Sequence, residues 1–194
     1  MNVLVAAFAA WIALGLEVGL RDAFLLGERD IAPHFTLILV TFIACWARRD
    51  HALWFGLILG VLMDLLTSVA LTTGDNATII GPRALGYTAA AYTAYILRAW
   101  MYRRHALAVA FLSATAALVG GVFIVAVLRA RAIYDPVLVS SAAAELGVQA
   151  GSALYTGLVA IPLAFVLGWV RPLFRFPTQG RGGGGGRSGF SNAR

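Results

Sequence analysis

Long apolar runs alternate with short polar connections along almost the whole chain. Five runs, residues 3–20, 53–71, 82–101, 106–128 and 146–170, are long enough to cross a bilayer as helices, since roughly 20 residues at about 1.5 Å each cover its hydrocarbon layer. A sixth run, residues 33–46, is only 14 residues long, a length equally suited to a re-entrant or interfacial segment. Whether it crosses decides the topology.

Charge argues that it does. With six crossings, Arg48, Arg49, Arg98, Arg103, Arg104, Arg171, Arg175, Arg181, Arg187 and Arg194 share one side, opposed only by Asp50. The other side sets Arg21, Arg29, Arg83, Arg129 and Arg131 against Asp22, Glu28, Asp30, Asp75, Asp135 and Glu145. The positive-inside rule makes the first side cytoplasmic. Trp46, Trp54, Trp100 and Trp169 fall at the ends of runs on that side, where indoles favour the interface, and Trp11 alone sits mid-run. The pattern predicts an all-α polytopic membrane protein with six transmembrane helices and both termini inside.

Composition supports this class: 60% of residues are hydrophobic and 12% charged, against roughly 45–50% and about 25% in soluble domains. The 194 residues suffice for one membrane domain, residues 1–170, and leave little for a globular part. Met1-Asn2 provides no basic leader, so the first run is expected to be retained. The single Cys45 excludes an internal disulfide framework and is read as packing. Pro172, Pro177 and the glycines from 180 to 189 predict a disordered Gly/Arg-rich cytoplasmic tail over 171–194. Its chemistry suits anionic lipid headgroups, and no nucleic-acid partner is assigned.

Asp64 is the position that stands out, eleven residues into the third run and so near mid-bilayer. A carboxylate there costs about 2.5–3.5 kcal/mol on insertion scales and faces a protein interior. Gly56, Gly60 and Asp64 follow at four-residue spacing and share a helix face, with two glycines that let another helix approach. That face is read as a packing seam or interface. Weaker pairs occur at Gly15/Gly19 and Gly147/Gly151. Arg83, Tyr87 and Tyr92 are candidate polar partners, and Arg83 could snorkel toward Asp64, although a loop arginine is the simpler reading. Glu17 and Glu145 read as boundary residues. No protease, hydrolase, nucleotide-binding or metal-ligand motif is present, so neither enzyme activity, cofactor nor metal is expected.

The order of these features resembles a known family. Pro33 opens a short run ending in Arg48-Arg49, Gly56-x3-Gly60-x3-Asp64-Leu65-Leu66 follows, and then Gly81-Pro82-Arg83-Ala84-Leu85-Gly86-Tyr87 leads to an Arg98–His105 cluster. This is similar to the MreD family of bacterial rod-shape-determining membrane proteins, over about residues 1–170. The tail and residues 72–80 are not features of the resemblance. It implies a six-helix fold like the substrate-binding subunits of energy-coupling-factor transporters, in the bacterial inner membrane. It further implies a noncatalytic role in peptidoglycan elongation, with MreC, MreB and the elongation glycosyltransferase and transpeptidase as partners. The sequence leaves a homodimer open.

Two other classes compete. A vitamin-type transporter subunit of the same fold needs a pocket lined by several polar groups, for which the chain offers Arg83, Tyr87, Tyr92, Gln149 and Asp64. An intramembrane enzyme or proton-coupled carrier needs an ionisable partner for Asp64 at similar depth, and none is evident in the sequence.

Overall fold

The computed structural model describes residues 2–26, 31–70, 76–100, 106–134 and 141–174. Six helices carry the fold: α1 (Val3–Gly19), α2 (Phe35–Trp46), α3 (Arg49–Leu66), α4 (Pro82–Leu97), α5 (Ala106–Arg131) and α6 (Ala142–Val170). A two-residue antiparallel ladder, β1 (Val69–Ala70) with β2 (Asn76–Ala77), joins α3 to α4.

Local signals account for the helix starts. The Asn2 side chain accepts from Leu4 N–H at 3.2 Å to cap α1, and Ser141 does the same for Ala144 at the start of α6. Pro82 opens α4, where its missing N–H costs nothing, behind Gly81 at φ 131°, a left-handed conformation that favours glycine. No side chain of their own caps α2 or α4.

The helices alternate in direction. At one end, here basal, Asn2 N–H donates to Phe174 O at 2.8 Å, and the Arg171 guanidinium lies 3.4 Å over the Trp46 ring. At the opposite, apical end, the last turns of α1 and α3 meet the first turns of α2 and α4. An even number of traverses thus returns the chain to the end at which it began. The packed region continues through a 3-10 turn, Arg171–Phe174, whose Phe174 is buried against Phe42. Residues 175–194, and with them most of the expected tail, lie outside the described residues.

The short helix α2 is the centre of the bundle. It is apolar all round, as a helix buried on every side must be. All of its residues from Phe35 to Cys45 are buried, and it touches each of the other five helices. The flanks are the reverse of a soluble surface, since Leu4, Phe8, Trp11, Leu107, Leu154 and Phe165 are all exposed. Contiguous apolar surface of this extent belongs in lipid or against a partner. Two helices among the described residues, α5 and α6 with its 3-10 extension, are long and apolar enough to cross a membrane, whereas α1 and α2 are apolar but shorter.

Candidate functional site

Two carboxylates and one guanidinium, all buried, hold the ends of α2 and α4. Asp64 lies in the last turn of α3 and is 2% exposed. One of its oxygens, Oδ2, accepts from Gly81 N–H at 2.8 Å and Ala84 N–H at 3.1 Å, and Oδ1 accepts from Arg83 N–H at 3.0 Å. Pro82 has no N–H, so Asp64 satisfies every amide donor from Gly81 to Ala84. The first turn of a helix leaves such donors orphaned and carries partial positive charge, and a carboxylate answers both.

The approach that makes this possible is built into α3. A Cβ at Gly60 would fall 2.5 Å from Ala84 Cα and 2.5 Å from Arg83 O, and one at Gly56 would fall 2.9 Å from Tyr87 O. Gly56, Gly60 and Asp64 therefore line the face of α3 that packs on α4 of the same chain. Asp64 stands in the last turn of α3, which begins at Arg49 and ends at Leu66, and not midway along the helix. Arg83 reaches Asp64 through its backbone N–H and not by snorkelling its guanidinium.

Glu17 repeats the arrangement one hairpin earlier. The reading of Glu17 as a boundary residue is overturned: it is 6% exposed, and Oε2 accepts from Thr36 N–H at 2.7 Å and Thr36 Oγ1 at 2.6 Å. The His34 Nδ1 lies 2.9 Å from Oε1. With its only hydroxyl proton committed to Glu17, Thr36 Oγ1 accepts from the Tyr87 hydroxyl at 2.8 Å. His34 N–H donates to Thr156 Oγ1 at 3.0 Å, and that hydroxyl donates to Ser152 O at 2.6 Å. One buried polar chain thus ties α1, the start of α2, α4 and α6 together. Glu145, the other expected boundary residue, lies 3.8 Å from Arg129 Nε.

Arg98 performs the complementary task at the basal end. It was counted among the cytoplasmic charges, yet it is buried, and its Nη1 donates to Ala44 O at 2.6 Å and Ala47 O at 2.7 Å. These carbonyls belong to the last turn of α2 and to its C-cap, where the helix dipole favours a cation. The guanidinium also stacks 3.9 Å over the Tyr95 ring. Tyr92 is displaced from the other candidates: it is partly exposed and lies 5.3 Å from the Arg49 guanidinium. Among the described residues, no group of three or more His, Cys, Asp or Glu side chains could hold a metal ion.

A family model described as rod shape-determining protein MreD matches residues 2–175. The chain belongs to the MreD family. No curated protein and no solved structure matches it. As an MreD-family protein it is a membrane component that determines rod shape, from a family not known as enzymes.

In this MreD-family chain, the glycines and Asp64 could be found by their four-residue spacing. The Glu17 and Arg98 roles could not be found that way, because Glu17 sits where solvent would excuse a carboxylate and Arg98 sits among arginines. One signal was available. A carboxylate late in one helix precedes the first turn of the next by 19 residues in both hairpins, Glu17 to Thr36 and Asp64 to Arg83.

Proposed function

We propose that this MreD-family chain is a noncatalytic scaffold of the cell-wall elongation complex in the bacterial inner membrane. It crosses the membrane six times with both termini cytoplasmic. Its partners are MreC, MreB on the cytoplasmic side, and the elongation glycosyltransferase and transpeptidase. The observation that carries the reading is where the buried charges are spent. Glu17, Asp64 and Arg98 all close helix ends within the chain, which makes the bundle a rigid body whose lipid-facing flanks are left for other helices.

Those flanks suit the role. On either side of α1 runs an apolar groove, one of ≈ 560 Å³ against α3 and one of ≈ 550 Å³ against α6. Association in lipid depends on packing of this kind more than on any hydrophobic drive, and a single-helix partner such as MreC needs such a surface. The five polar groups that a transporter subunit would gather are dispersed. Asp64 caps α4, Tyr87 is sealed against Thr36, Tyr92 lies near Arg49, Gln149 packs at Gly121, and Arg83 alone lines a polar pocket.

Depletion in the native cell tests the proposal, with cell width and sites of new wall synthesis scored and tagged protein recovered from detergent. Widened or rounded cells with MreC in the recovered complex are expected. Normal shape with loss of uptake of one small molecule would overturn the scaffold in favour of transport.

A further inference from the structure

At the apical end a pocket of ≈ 270 Å³ opens between the two carboxylate-capped helix starts, lined among others by Glu17, Arg21, Asp22, His34, Thr67 and Arg83. Nothing in the scaffold reading uses it. Its volume is that of roughly nine waters at about 30 Å³ each, enough for a molecule the size of an amino acid.

The charges in the pocket are unevenly committed. Glu17 is spent, accepting from both Thr36 donors and facing His34 Nδ1, at the positive end of α2. Thr67 turns its hydroxyl proton to Met63 O at 2.6 Å. Arg83 stands in the first turn of α4, where the helix dipole disfavours a cation. Only its backbone is tied to Asp64, and its half-buried guanidinium has neither a hydrogen bond nor an ion pair among the described residues. The formal charges on the lining cancel, Arg21 and Arg83 standing against Asp22 and Glu17. The His34 Nε2 adds a second polar atom, because Nδ1 is held by Glu17 and the side chain is 31% exposed.

We propose that this pocket binds a small carboxylate monoanion that also carries an N–H, with the Arg83 guanidinium as anchor for the carboxylate and His34 Nε2, an acceptor when Nδ1–H donates to Glu17, taking the N–H. A guanidinium presents two parallel N–H donors that match a carboxylate. With Asp22 and Glu17 also on the lining, a phosphate dianion meets more repulsion there than a monoanion does. Asp22, exposed at the rim, opposes entry and sets an upper limit on affinity.

The test uses the full-length protein in lipid nanodiscs, N-acetylglycinate as probe, N-acetylglycinamide as its uncharged twin and inorganic phosphate as the competing anion. The readout is the thermal unfolding midpoint, which rises with a ligand that binds only the folded state. Titration runs to about 10 mM, tenfold above a Kd on the order of 1 mM for so small a probe. A saturable rise with the carboxylate and none with the amide is expected, lost in Arg83→Gln and reached at several-fold lower concentration in Asp22→Asn. Equal responses to acid and amide, an unchanged response in Arg83→Gln, stronger binding of phosphate than carboxylate, or no saturable rise would each overturn the assignment. If Arg83→Gln is unfolded before any probe is added, Asp22→Asn decides: a response no stronger than wild type overturns it. Cell shape and recovery of MreC are separate readouts, so failure here leaves the scaffold proposal standing.

Discussion

Glu17 and Arg98 hold opposite ends of one helix: the carboxylate takes the Thr36 N–H in the first turn of α2, and the guanidinium takes the carbonyls of Ala44 in its last turn and Ala47 at its C-cap. Each sign matches the dipole it faces. The helix itself is short. The 12 residues of α2 cover about 18 Å at 1.5 Å each, well short of the roughly 30 Å hydrocarbon layer. Thr36, Ala44 and Ala47 at its ends are buried, so their amides and carbonyls must find partners within the protein. Neighbouring helices supply the missing partners.

Substitution at Glu17 should therefore separate shape from polarity. In Glu17→Gln the amide oxygen can still accept from Thr36 while its NH2 faces His34 Nδ1, and a loss of about 1 kcal/mol is expected. Glu17→Leu strands the Thr36 amide and the His34 imidazole together, and should cost about 2–4 kcal/mol. Reversible unfolding in bicelles by added denaturing detergent measures both. A Leu variant as stable as wild type would show that the α2 start needs no partner.

At the other end of α2, Arg98→Met leaves two buried carbonyls unanswered and removes the stack on Tyr95. The expected loss is about 2–3 kcal/mol, with Arg98→Lys intermediate because an ammonium keeps the charge but neither the plane nor the fork. Amide hydrogen exchange reports it locally. Protection should fall first at the C-cap of α2, at Ala47 N–H, which donates to Ile43 O. Uniform loss across all six helices would instead place Arg98 in global stability.

Periodicity and charge made much of this legible and left a definite remainder. Apolar run length located all six helices, and the four-residue rhythm of Gly56, Gly60 and Asp64 marked the face of α3 that packs on α4. The same spacing at Gly15/Gly19 meets nothing among the described residues, where no atom of another element lies within 4 Å of an added Cβ at either. A close approach at Gly86 and Gly120, between α4 and α5, carried no repeat to reveal it. Hydropathy reports how much of a residue lipid would tolerate, not which helix end lies beside it. Glu17 and Arg98 act across tertiary distance, so only the 19-residue echo between the two hairpins recorded them.

The two kinds of glycine give a matched pair of variants. Gly60→Ala drives a methyl to within 2.5 Å of the α4 backbone, and since neither backbone can yield without separating the helices it should cost about 1–3 kcal/mol. Gly15→Ala adds the same methyl where nothing among the described residues is near, and should be neutral or stabilising by up to about 1 kcal/mol through helix propensity. Thermal midpoints measured side by side decide the point. Equal effects would mean that α3 and α4 are less closely packed than this geometry.

Asp64 caps the start of α4, and its variants should rank by how much of that cap they keep. An amide has one acceptor oxygen for the three N–H groups of Gly81, Arg83 and Ala84, so Asp64→Asn turns its NH2 toward at least one donor, at about 1–2 kcal/mol. Asp64→Leu leaves all three without a partner and should cost about 3–4 kcal/mol. The chain still inserts, because a leucine favours the bilayer. If α3 and α4 must keep their relative position for the complex to form, recovery of MreC and normal cell width should decline in the same order, wild type, Asn, Leu. A Leu variant with full partner recovery and normal width would make the cap dispensable. Loss of recovery in a variant as stable as wild type would make Asp64 a direct partner contact, since the damage would then bypass the bundle.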